Sequence, residues 1–271
     1  MKNVIVTGSF DKLGSRDLRF LQEAANFGKL LVFLWSDEIT YKILRKKPNF
    51  PQEERKYFLD AVRYVDQIIL IDEYENFYEL PDVAGIQRDI WVVNETEDTS
   101  SKLYYANQNG IIYQVKRNSD LNGFPSYPVH DIHSKTKKVI VTGCFDWLHS
   151  GHVRFFEQTS QLGDLYVVVG HDENIRWLKG KGHPMFSQYE RRYIVSSIKF
   201  VKQALISSGS GWMDAEPEIR KIQPDIYAVN EDGDKLDKRA FCEDHGIEYL
   251  VLKRTPAPGL PQRTSTNLRG Y

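Results

Sequence analysis

The sequence predicts an α/β protein made of two tandem domains, each a doubly wound parallel sheet. Short apolar runs rich in β-branched residues alternate with amphipathic segments of helical period, the mark of βαβ units. The alternation occurs twice. Val4-Ile-Val-Thr-Gly-Ser-Phe-Asp11 returns as Val139-Ile-Val-Thr-Gly-Cys-Phe-Asp146, and later matches keep an offset of about 135. In both halves a polar turn follows the first strand, at the carboxyl edge where open α/β sheets hold ligands.

Composition narrows the function classes. A chain of 271 residues, 41% hydrophobic, suits one or two globular domains. A net charge of −1 gives no electrostatic case for nucleic acid or a membrane as a general partner. No apolar run approaches the ~18 residues of a membrane span, and Met1-Lys2-Asn3 leads straight into a strand, not a signal peptide. Two cysteines, Cys144 and Cys242, fit a reducing compartment, so a cytoplasmic location is expected.

In chain order, the first half reads as the strand at Val4, a turn Gly14-Ser-Arg-Asp17, a strand Leu30–Trp35, a basic segment Arg45-Lys-Lys47 and a helix Glu53–Val65. Val93-Asn-Glu95, Gly110-Ile111 and Gly123-Phe-Pro125 follow, each with a partner in the second half. The polar stretch Tyr127–Lys137, after Pro125, is the expected boundary, giving domains 1–128 and 137–271. The second half repeats the scheme with a helix Val153–Leu162, strands Tyr166–Gly170, Gln203–Ile206 and Ile226–Val229, and a helix Tyr189–Val201. Ser207-Ser-Gly-Ser-Gly211 reads as a connection.

The chemistry is concentrated in the second half. His149-Ser-Gly-His152 lies where a strand turns into a helix, beside helix N–H groups that attract phosphate. Two imidazoles with a glycine between them suit attack on the α-phosphate of a nucleoside triphosphate, where positioned donors stabilise the developing charge. Lys179-Gly-Lys181-Gly-His-Pro184 is a basic loop on glycine hinges. Arg263-Thr-Ser-Thr-Asn267 offers hydroxyls and N–H groups for the outer phosphates. The first half carries Gly14 to Asp17 opposite the histidines and Asn118-Ser119-Asp120 opposite Lys253-Arg-Thr255. Its scaffold survives while its phosphate-holding groups do not, so it is expected to fold and to be inactive, as a built-in dimer partner.

Thr142-Gly-Cys-Phe-Asp-Trp-Leu-His-Ser-Gly-His152 resembles the signature of the cytidylyltransferase-type nucleotidyltransferases, whose domains are Rossmann-like. The resemblance extends to Lys253-Arg-Thr-Pro256 and Arg263–Thr266. It implies transfer of CMP from CTP, with Mg2+, to a phosphorylated small alcohol or polyol, giving a CDP-linked product and pyrophosphate. His149, His152 and Lys181 would be catalytic. Thr142, Gly143, Cys144, Phe145, Gly151, Asn230, Asp232, Arg254, Thr255, Arg263, Thr264, Ser265 and Thr266 would hold the nucleotide. Asp146, Lys179 and Arg191 would face the acceptor, with no direct protein ligand assigned to the metal. Relatives with the same histidine signature use ATP, which leaves adenylyl transfer as the alternative, and a non-catalytic nucleotide-binding scaffold is a second. An intramolecular pseudo-dimer or a homodimer is expected.

Overall fold

The computed structural model describes residues 1–126, 136–265 and 268. It divides into two compact units, Met1–Gly123 and Phe124–Tyr271. The stretch expected as boundary lies mostly outside the described residues. Phe124 belongs with unit 2 because its ring packs 5.9 Å from Tyr193 and its carbonyl accepts from Arg192.

Unit 1 runs β1 (Asn3–Gly8), α1 (Ser15–Ala25), β2 (Lys29–Trp35), α2 (Asp37–Leu44), α3 (Gln52–Asp60), β3 (Gln67–Ile71), β4 (Ile90–Asn94), α4 (Ser100–Gln108) and β5 (Ile112–Lys116). Unit 2 runs β6 (Lys138–Gly143), α5 (Ser150–Ser160), β7 (Asp164–Val169), α6 (Asp172–Lys179), α7 (Gln188–Ser196), β8 (Gln203–Ile206), α8 (Glu216–Ile222), β9 (Ile226–Asn230), α9 (Leu236–Asp244) and β10 (Glu248–Leu252). The sheets are ordered β3-β2-β1-β4-β5 and β8-β7-β6-β9-β10, all parallel. Each is thus the same doubly wound, Rossmann-like sheet with the order reversing at its first strand. The central strands are apolar throughout because helices cover both faces; Val4 to Val6 and Val139 to Val141 have no exposure.

The matched residues do the same work in both units. Gly28 and Gly163 sit at φ 155° and 157°. A Cβ there would stand 2.2 and 2.1 Å from the carbonyl oxygens of Lys2 and Lys137, a contact only glycine permits. Asp11 accepts from the N–H groups of Asn49 and Phe50; Asp146 accepts from those of Met185 and Phe186. Arg55 donates to the carbonyls of Phe50, Ser9 and Trp35 and to Asp37. Arg191 donates to the carbonyls of Phe186, Cys144 and Gly170 and to Asp172.

Two helices are shorter than their apolar period suggested. α3 and α7 end at Asp60 and Ser196, and the chain continues in tight turns closed by Val62 N–H to the Leu59 carbonyl and Ile198 N–H to the Val195 carbonyl. Val62, Ile198 and Val201 stay buried in those turns, so hydrophobicity persists where helix does not. α5 begins earlier than expected, at Ser150, because His149 caps it. Among the described residues no helix is long and apolar enough to cross a membrane.

Candidate active site

β6 ends at Gly143, and the chain turns through Phe145, held at φ 50°, into α5. That turn brings both histidines to the first turn of the helix. Nδ1 of His149 accepts from the Gly151 N–H at 3.1 Å, so the neutral ring carries its proton on Nε2. The two imidazoles stack with centroids 3.9 Å apart, and His152 meets the Phe145 ring edge-on at 5.3 Å. Gly151 leaves room between them: a Cβ would crowd the His149 ring at 3.0 Å. His149 Nε2 and His152 Nδ1 are buried without a hydrogen-bond partner among the described residues.

Both rings are held neutral. Burial, followed by the charges of Arg254 and Arg263, pulls His149 down to about 3. Burial pulls His152 well below its ordinary value, with His149, Arg254 and Lys179 adding to the effect. Burial pushes the Cys144 thiol up, which suits a wall residue rather than a nucleophile.

A cavity of about 460 Å³ opens at the carboxyl ends of β6, β7 and β9. Of the residues expected there, Thr142, Gly143, Cys144, Phe145, Asp146, His152, Lys179, Asn230, Asp232, Arg254, Thr264 and Ser265 line it. His149 and Gly151 lie behind His152 and do not line it. Arg254 is braced by Asp232 at 2.9 Å and by the Arg263 carbonyl at 2.9 Å, tying the strand end after β10 to the segment that follows. Ser265 approaches the Trp147 carbonyl at 3.5 Å. Thr266 lies outside the described residues, as does the helix start expected from Asn267.

Several expected residues are placed away from the cavity or are otherwise engaged. Arg191 does not face the cavity: it has no exposure and spends its guanidinium on three backbone carbonyls and Asp172. Asp146 borders the cavity, but its carboxylate is occupied by two backbone N–H groups. Lys181, Thr255 and Arg263 are outside the lining, and Lys181 and Thr255 are exposed. Ser207–Gly211 is a fastened connection: Ser207 bonds Asp214 at 2.6 Å, and Asn174 pairs with both backbone groups of Gly211.

Other lining residues escaped the sequence reading, among them Asn174, Asp214 and Lys238. Lys238 had a signal: it repeats Lys102 at the offset of about 136 that also joins Val93 to Val229. The rest sit in loops and on helix flanks where no motif marks them.

Unit 1 has a cavity of about 480 Å³ at the same strand ends. Asp17 stands where unit 2 has His152 and accepts from the Gly14 N–H at 2.9 Å. Burial pushes its carboxyl up, and Glu97 adds to the effect.

The comparisons agree with this geometry. A family model described as Cytidylyltransferase-like matches residues 140–256, from β6 through the Arg254 segment. An FAD synthase from Ferroglobus placidus is 39% identical over 120 residues, which is 43% of this chain and 75% of that protein. One from Methanocella paludicola is 32% identical over 135 residues, covering 49% of this chain and 93% of that protein. A bifunctional protein HldE from Desulfatibacillum aliphaticivorans is 38% identical over 128 residues, but the match spans only 26% of that longer protein. With likeness that covers 75% and 93% of these two synthases, the chain belongs to the cytidylyltransferase-like nucleotidyltransferases.

Proposed function

We propose that unit 2 transfers a nucleoside monophosphate from a nucleoside triphosphate to a phosphorylated small alcohol, releasing pyrophosphate, and that unit 1 is non-catalytic. One observation carries the reading: two stacked neutral imidazoles at the start of α5, each with a buried nitrogen unpartnered among the described residues, of which His152 lines a cavity bordered by Arg254, Thr264 and Ser265. An acceptor phosphate oxygen attacks the α-phosphorus. The bond from that phosphorus to the bridging oxygen breaks, and pyrophosphate carries the electron pair away. The attacking oxygen is already anionic, so no protein base is required. His152 and Arg254, which line the cavity, hold the charge that builds on the phosphoryl oxygens, and His149 supports His152 through the stacked ring contact. Triphosphate beside the histidines also opposes the depression of their pKa values.

Mg2+ is the proposed cofactor. Among the described residues no three His, Cys, Asp or Glu side chains converge on one point, and Asp146 and Asp232 are engaged by backbone N–H groups and by Arg254. That donor set fits an ion held chiefly by phosphate oxygens and water, as Mg2+ prefers. It would neutralise the triphosphate.

The nucleotide has two readings. Arg254-Thr-Pro256 and its resemblance to the cytidylyltransferases favour CTP. The FAD synthases among the relatives favour ATP and an aromatic phosphorylated acceptor, for which Trp147 and Trp212 border the cavity. The test is pyrophosphate release with CTP, ATP, GTP and UTP against phosphorylated alcohols, polyols and riboflavin phosphate. Turnover with one nucleotide that disappears in His152→Ala supports the transfer. Tight nucleotide binding without release for every pair rejects it in favour of a binding scaffold.

A further inference from the structure

α9 places Lys238 against the cavity with 8% exposure. Among the described residues its Nζ reaches only two neutral acceptors, Thr142 Oγ1 and the Gly233 carbonyl, each at 3.5 Å, and it lies 5.5 Å from the centroid of the Tyr227 ring. Both contacts are at the limit of a hydrogen bond. The Thr142 hydroxyl is further committed to the Tyr227 hydroxyl at 2.7 Å. No carboxylate forms an ion pair with Lys238 among the described residues. Burial pulls its pKa down, and Asp214, acting from a distance, opposes the shift. A buried ammonium so weakly matched is costly unless an anion meets it.

In unit 1 the matching lysine has a carboxylate nearby, without an ion-pair contact among the described residues. Lys102, on α4, is also buried and lies 5.6 Å from the centroid of the Trp91 ring, as Lys238 lies over Tyr227. The register between the units is fixed by a repeated contact: Tyr113 donates to Asp98, and Tyr249 donates to Asp234. At this register Glu97 corresponds to Gly233. Glu97 and Lys102 are each other's strongest opposite charge, and Glu97 rather than Lys102 borders the unit 1 cavity. In unit 2 the carboxylate is replaced by hydrogen. The space is real: a Cβ on Gly233 would meet only Val229 Cβ, at 3.7 Å, and the glycine needs no left-handed backbone.

We infer that Lys238 is an anion subsite of the unit 2 cavity, which takes a substrate phosphate oxygen in the place that Glu97 fills in unit 1. The source of that phosphate, nucleotide or acceptor, rests on the transfer proposed above.

The test uses the full chain with Lys238→Met, Lys238→Arg and Gly233→Glu. Binding of ATP, CTP and inorganic pyrophosphate is measured by calorimetry without acceptor, the acceptor KM by turnover, and Tm by calorimetric melting. Lys238→Met is expected to weaken binding about tenfold or more while leaving Tm unchanged or higher, with Lys238→Arg restoring part of the affinity. Gly233→Glu is expected to weaken binding similarly without lowering Tm, because its carboxylate answers the lysine internally. Loss of nucleotide and pyrophosphate affinity assigns the subsite to the triphosphate; a rise confined to the acceptor KM assigns it to the acceptor phosphate. Unchanged affinity and KM in both Lys238→Met and Gly233→Glu overturn the inference. So does a lowered Tm in Lys238→Met with wild-type affinity in Gly233→Glu, which would make the lysine a packing residue. If the wild-type protein turns over no pair, the proposed transfer fails, and pyrophosphate binding still decides Lys238.

Discussion

The two units share a strand order, a glycine joint, a clamped aspartate and a buried arginine strut, yet they differ at nearly every group that would touch phosphate. His149 and His152 face Gly14 and Asp17, the Arg254 segment faces Asn118 to Asp120, and Gly233 faces Glu97. Structural demands act on both units alike, so they account for what is kept. What differs marks the residues answerable to a ligand. Unit 1 thus serves as an internal control, separating scaffold from chemistry without any second protein.

The largest test of that division concerns the scaffold. Arg55→Ala and Arg191→Ala should each destabilise the protein by about 3–5 kcal/mol, since each strands carbonyls and a carboxylate around a buried gap. Denaturant unfolding would check this, and a strut that matters in one unit only would break the equivalence. Next comes the chemistry. His152→Ala should lower pyrophosphate release by roughly 10²–10³, while Asp17→Ala, at the matching position, should leave turnover at the wild-type rate. A comparable loss in Asp17→Ala would make unit 1 part of the machinery.

A subtler contrast lies in acid. The folded state holds His149 near 3, below its unfolded value of 6.5. Between those values the unfolded chain binds the proton and the folded chain does not. The stability is therefore present above pH 6.5 and is lost as pH falls toward 3. Melting at pH 4.5 and 7.5 should show a smaller difference for His149→Gln than for wild type. Asp17 has the opposite sense: its folded pKa is raised, so ionising it costs stability as pH rises through the carboxylate range. Asp17→Asn keeps an acceptor for the Gly14 N–H and should raise stability at pH 7 by a small amount, up to ~1 kcal/mol.

The fold was legible because its evidence is local and repeated. Alternating strand and helix patterns gave the sheets, and Val4–Asp11 against Val139–Asp146 gave two of them. The histidine turn was legible because a short spacing fixes its geometry on a helix start. Arg191 was read toward the acceptor by resemblance, against the structural role that its match with Arg55 suggested, and the carbonyls it binds are invisible in sequence. Helix ends were missed where buried valines and isoleucines continue the apolar period through a turn. Asn174 and Asp214 meet in the cavity only through tertiary folding, so no spacing announces them.

The clamp of Asp146 on Met185 and Phe186 has a mechanical consequence. On the other side, α6 is moored where Arg191 grips Asp172. Between Lys179 at the end of α6 and the clamped Met185 lie five residues, 180 to 184. Such a strap spans about 17 Å when fully drawn out, and both its ends are pinned to the sheet. Lys181, the second of those five, is held close to the cavity mouth, and in the proposed transfer it would meet phosphate only by a local swing. Arresting so short a tether forfeits little chain entropy. In the proposed transfer, capture and release of substrate would then be matters of a local swing rather than of a large door, with the basic loop as a leash whose slack is already taken up.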